Sequence, residues 1–121
     1  MLTDASQPLY EVKANLFKGL AHPARIRVLE LLSAAEEVAV ADLLAETGLE
    51  ASNLSQHLAV LKRFLLVASE RRGSLVYYRL AHREVADLLT VARALLGAVL
   101  LEGRDRLAAA DGLPELAELP R

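Results

Sequence analysis

Leucine, valine and alanine recur along the chain at helical spacing, and a few glycines and prolines cut the pattern into segments. Pro8 suits a first helical position, and Leu9, Val12, Leu16, Phe17 and Leu20 follow on one stripe, predicting a helix over about residues 8–21. His22-Pro23 ends it and opens another, because proline disfavours helix at the residue before it yet fits a first turn. That second helix, from Ala24 to about Ala35, should bury Ile26, Val28, Leu29, Leu31 and Leu32. A short third helix carries Val40, Leu43 and Leu44, and a fourth carries Leu54, Leu58 and Leu61. Gly48 between them supplies the positive φ that ends one helix and turns the chain sharply. Two β-rich runs follow, Leu66 to Arg71 and Leu75 to Leu80, joined by Arg72-Gly73-Ser74, with arginines projecting to solvent. Residues 83–109 return to helix. There Val85, Leu88, Leu89, Val91, Ala92, Leu95, Leu96, Val99 and Leu100 cover more than one face, more than one small domain can bury. Gly103 and Gly112-Leu113-Pro114 weaken this helix near its end, and the last residues read as a frayed tail.

A short helix, a glycine turn, a second helix and a hairpin make a winged helix-turn-helix. The helix-turn-helix is expected over about residues 39–64, a two-stranded wing over about 66–80, and dimerisation helices at both ends. The fold class is therefore α+β and mostly helical, in one domain over residues 1–121, with no internal repeat or low-complexity tract. The second helix of the pair buries its leucines and leaves Ser52, Asn53, Ser55, Gln56 and Ala59 on other faces. Side chains of this kind both donate and accept hydrogen bonds, as base edges in a DNA major groove require, and Asn or Gln can pair bidentately with adenine.

Composition changes this picture little, and charge changes it more. The 121 residues are 54% hydrophobic and only 4% aromatic, which suits a leucine-, alanine- and valine-rich helical core. A chain this small buries its apolar surface incompletely alone, so the surplus on the terminal helices points to a second copy. The net charge of −2 is unevenly spread. Residues 51–80 hold five Lys/Arg against one Asp/Glu, whereas residues 1–50 hold four against eight and residues 81–121 five against seven. Positive charge is thus gathered as Lys62, Arg63, Arg71, Arg72 and Arg79 on the second helix and the wing, where phosphates would lie. Cysteine is absent, which removes disulfides and thiolate chemistry. No stretch has transmembrane length or a signal-peptide pattern, so a cytoplasmic location without membrane contact is expected.

Four fragments, LFKGLAHPARIRVLELL, EVAVADL, SNLSQHLAVLKRFLLV and RRGSLVYYRLAHREVADLL, together resemble the ArsR/SmtB family of winged-helix repressors over roughly residues 9–100. The resemblance implies a homodimer that occupies an operator until an effector, often a metal ion, releases it. His57 matches a histidine of the family's recognition helix, where it would support the helix or touch phosphate. Many members carry cysteines in the segment matching residues 37–43; here those positions are Ala39 and Ala41, so that thiolate site is absent. A second family site spans the C-terminal helices of the dimer. Its first half matches His82 and Glu84, but its second half falls at Leu95 and Ala98, which cannot ligate. A divalent ion such as nickel or zinc accepts imidazole and carboxylate and would need further ligands from Asp87, or from Asp4 or Glu11 of a second copy.

Each of these side chains also has a plainer reading. His82 begins the last helix and suits a cap, and His22 before Pro23 suits a junction. Tyr77 and Tyr78 alternate across a strand, one under the wing and the other toward the groove or solvent, with packing as their main role. Outside the repressor class, a winged helix can serve as a protein-interaction module, which would call for an apolar or acidic recognition face in place of this polar, basic one. An enzyme would need a glycine-rich phosphate loop, a Ser/His/acid set or a cysteine, and none is present. Within the repressor class, a small organic ligand or a regulatory partner protein stands beside a metal as effector.

Overall fold

The computed structural model describes residues 6–111; the expectations for Asp4 and for the tail from Gly112 lie outside the described residues. Its elements are α1 (Leu9–Leu20), α2 (Pro23–Ser33), β1 (Val38–Ala39), α3 (Val40–Thr47), α4 (Ala51–Arg63), β2 (Val67–Arg72), β3 (Leu75–Leu80) and α5 (Arg83–Asp111). Two compact units divide it, the first reaching to Ala86 and the second formed by the rest of α5.

The helix boundaries have local causes. At the start of α2, Pro23 occupies the first turn and His22 is the cap, its Nδ1 accepting the Ala24 N–H at 3.0 Å. Gly48 ends α3 at φ 69°, and its N–H donates to the Leu44 carbonyl at 2.9 Å. α4 ends at Arg63 with Phe64 as its cap, and the next residue, Leu65, takes φ 63° at the position where glycine is favoured. The Leu65 N–H donates to the Lys62 carbonyl and the Leu66 N–H to the Leu61 carbonyl, both at 3.0 Å, which satisfies two carbonyls of the last turn. Leu66 and Leu61 are both buried, supplying the apolar contact that accompanies this helix end. The strand expected from Leu66 therefore begins one residue later.

The sheet has three strands in the order β1-β3-β2, not the two expected of a simple wing. β1 pairs antiparallel with β3 through Val38↔Tyr78 and Ala39↔Tyr77, and β2 pairs with β3 from Val67↔Leu80 to Arg72↔Leu75. Two residues are too few to show a period-2 alternation, so β1 is invisible in the sequence pattern and the helix expected from about 39 starts at Val40. Gly73 at φ 64° begins the two-residue link between β2 and β3.

The core of the first unit is Val28, Leu29 and Leu32 of α2, Leu43 of α3, Leu54, Leu58 and Leu61 of α4, with Leu20, Leu66, Val67 and Val85 around them. α2 packs on α3, α4 and β3, and so holds the helix pair and the sheet together. Burying each of these side chains stabilises the fold by about 1.5–3 kcal/mol. Of the α1 stripe, Leu20 is buried and Val12 and Leu16 are half-buried, whereas Leu9 is 68% and Phe17 54% exposed. In the second unit, α5 runs past Gly103 and exposes Val91, Leu95, Leu96 and Val99. Among the described residues no helix is long and apolar enough to cross a membrane.

Candidate nucleic-acid interface

α4 exposes what its sequence assigned to the outside. Ser52, Asn53, Ser55, Gln56, Ala59, Lys62 and Arg63 are exposed, while Leu54, Leu58 and Leu61 are at most 3% exposed on the opposite face. At 3.6 residues per turn, Ser52, Gln56 and Arg63 lie along the middle of the outer face. Ser55, Ala59 and Lys62 form the edge toward the wing, where the Lys62 ammonium donates to Ser69 Oγ of β2 at 2.8 Å. A groove of about 560 Å³ runs between α3, α4 and β3, with Ser55 and Lys62 on one wall and Val76 and Tyr78 on the other.

The other edge of α4, with Asn53 and His57, turns toward the α1–α2 junction. The His57 ring sits 4.3 Å from the ring of His22, tilted by 45°. Burial first, then the neighbouring His22 and Arg25, hold the His57 imidazole below its ordinary pKa. His57 thus packs against the α1–α2 junction, and His22 is the junction residue its place beside Pro23 suggested.

Strand register sorts the wing's cations. Residues paired directly across antiparallel strands share a face. Ser69, Arg71, Val76 and Tyr78 lie on the face that meets α4, as the Lys62 contact shows, whereas Ala68, Glu70, Arg72, Tyr77 and Arg79 lie on the outer face. Neither tyrosine reaches the core; both are half-buried, Tyr78 lining the groove and Tyr77 beneath an arginine. That arginine is Arg72, and here the structure departs from the expectation of side chains simply projecting to solvent. Its guanidinium lies 4.5 Å from the Tyr77 ring centre, donates through both terminal nitrogens to Glu37 at 2.6 Å and through Nε to Glu70 at 2.9 Å. The hydrogen bonds from Arg72 hold both carboxyls below their usual range and raise the arginine further. Glu37 was not singled out by the sequence pattern, because nothing in the linear order pairs it with a residue 35 positions on.

His82 and Glu84 are exposed at the start of α5, His82 just before its first residue and Glu84 in its first turn. Among the described residues, no three His, Cys, Asp or Glu side chains stand where they could hold a metal ion.

Residues 20–70 match the family described as a helix-turn-helix domain. An HTH-type transcriptional regulator of Mycobacterium tuberculosis, Rv0081, is 48% identical over 108 residues, 89% of this chain and 92% of the relative. Its crystal structure superposes with a TM-score of 0.74 at 51% identity, covering 85% of this chain and all of that one. A homodimeric winged helix-turn-helix DNA-binding domain from Mycobacterium bovis, from a possible ArsR-family regulator, gives a TM-score of 0.68 at 32% identity over 78% of this chain and 87% of that one. A transcriptional repressor SmtB homolog of Synechocystis is 40% identical over 83 residues, 63% of this chain and 62% of the relative.

Proposed function

The chain belongs to the ArsR/SmtB family of winged helix-turn-helix transcriptional regulators, DNA-binding proteins and not enzymes, and from that premise we propose that it is a homodimeric repressor that reads a palindromic operator. The observation that carries this reading is the outer face of α4. Ser52, Asn53, Ser55 and Gln56 are exposed over a fully apolar inner face, with Lys62 and Arg63 following in the last turn. Gln56 and Asn53 read base edges, Ser52 and Ser55 hydrogen-bond to bases or sugar-phosphate, and Lys62, Arg63 and Arg71 neutralise phosphates.

The dimer rests on exposed apolar side chains. α1 presents Leu9, Tyr10 and Phe17, and α5 presents Val91, Leu95, Leu96 and Val99. Several large apolar side chains exposed on one helix favour an interface, and a second copy supplies the matching surface by two-fold symmetry. Two recognition helices related in this way set half-site centres about 10 base pairs apart, or a whole number of helical turns. Selection of bound duplexes from a random library tests this: the dimer should enrich an inverted repeat with that spacing. A chain that stayed monomeric at micromolar concentration yet bound DNA with full affinity would contradict it.

A divalent ion such as nickel or zinc, held first by His82 and Glu84 and completed by Asp87, a second copy or water, is the finer reading of the effector; among the described residues one chain brings no three such ligands together. No step of the proposed function runs through a metal. A small organic ligand or a regulatory partner protein remains the alternative effector.

A further inference from the structure

We propose that Glu37 is a positioning residue for DNA binding: it clasps Arg72 to the outer face of the wing, so that Arg71 and not Arg72 is the hairpin cation presented to phosphate. The proposal rests on the reading of α4 and the wing as a DNA interface. Its basis is the sheet's register. Arg72 lies at the last paired position of β2, beside the Gly73 turn, on the face that carries Tyr77. From there its guanidinium crosses the central strand β3, over the Tyr77 ring, to the carboxylate just ahead of β1. Both Glu37 oxygens are engaged, and Glu70 holds the remaining donor edge. A fork-to-fork pair of this kind fixes orientation as well as charge, which a lysine in the same place would not do.

Two consequences follow. An arginine matched by two carboxylates carries no uncompensated charge to a phosphate, so it releases no counterion when DNA binds. The clasp also spans all three strands, tying the wing tip to the segment that leads into α3. Arg71, one residue earlier in β2, lies on the face that meets α4 and is exposed, and none of the carboxylates around Arg72 shares its face. The hairpin's phosphate contact therefore falls to Arg71, while Glu37 and Arg72 hold the angle at which it is offered.

The test is the salt dependence of binding by the full chain to a duplex carrying its selected site, measured by anisotropy across a series of KCl concentrations. Arg71→Ala should lower the slope of log K against log[KCl] by about 0.9, the value of one phosphate contact. Arg72→Ala should leave the slope unchanged and weaken affinity. Arg72→Lys should weaken it to the same degree, since charge without the fork cannot clasp. Glu37→Gln should match them, and the Glu37→Gln/Arg72→Ala double variant should be no weaker than either alone. A slope reduced by about 0.9 in Arg72→Ala, with wild-type behaviour in Arg72→Lys, would make Arg72 a phosphate contact and overturn the proposal. Additive losses in the double variant would also overturn it. Failure of the unaltered chain to bind any duplex would instead remove the reading of the interface itself.

Discussion

At the scale of single residues, the most telling side chain is Leu65. A leucine held at φ 63° costs roughly 1–2 kcal/mol against the ordinary helical region. Its side chain is 56% exposed, so little packing offsets that strain. Leu65→Gly should therefore stabilise the protein, by up to about 1 kcal/mol once the greater freedom of an unfolded glycine is set against the relief. Chemical denaturation of the two proteins checks this; a loss of stability would mean that the leucine side chain packs usefully. His57 gives a second prediction at this scale. Its pKa is lowered in the folded state, so the unfolded chain takes up a proton first as pH falls. The stabilising contribution is complete above about 6.5, the reference histidine value, and is lost as pH drops from there through the lowered native value. The shifted carboxylates Glu37 and Glu70 lose their contribution only below about 4.5, outside this window. Melting temperatures taken between pH 8 and pH 5 should fall in the wild type and flatten in His57→Gln; identical profiles would show that protonation of the partly buried His57 is not coupled to folding.

At the scale of elements, α1 meets the end of α4 at a point that admits no side chain. A methyl group added at Gly19 would lie 2.8–3.0 Å from the Phe64 ring, beginning at the ring's attachment carbon, which cannot swing aside freely. Gly19→Ala should destabilise by about 1–3 kcal/mol, as overpacking does, and should cost less in a Phe64→Ala background, which removes Cγ and both Cδ atoms. An equal cost in both backgrounds would place the strain elsewhere. The elements also show what was legible in the chain. Leu54, Leu58 and Leu61 repeat at helical period, and Gly48 and Pro23 are strong breaks, so the helix pair and the exposed face of α4 could be read directly. β1 could not, because Val38-Ala39 runs into Val40 without any change of period. The end of α4 was equally hidden, since a leucine in the left-handed region contradicts its own local preference and is held there by the buried Leu61 and Leu66. The clasp of Arg72 was out of reach for a further reason: register, which no periodicity encodes, decides that Arg72 shares a face with Tyr77 and Glu70 and that Arg71 does not.

At the scale of the whole molecule, a chain with net charge −2 binds an acidic polymer because its charges are segregated. Residues 51–80 hold five cations against the single carboxylate Glu70, and the other fifteen acidic residues lie in the flanking sequence. The proposed dimer, drawn from the exposed apolar side chains on α1 and α5, would turn one modest reading helix into a pair. The proposed role of α4 is to read sequence and not merely to adhere to DNA. The most direct measurement compares affinity for the selected inverted repeat and for a scrambled duplex of equal length, in wild type and in Gln56→Ala, at fixed salt. The wild type should favour its site by at least about 10³-fold at physiological salt. Gln56→Ala should lose about 1–3 kcal/mol of that preference while its affinity for the scrambled duplex stays the same. Equal wild-type affinity for the two duplexes would mean that α4 adheres to DNA without reading its sequence.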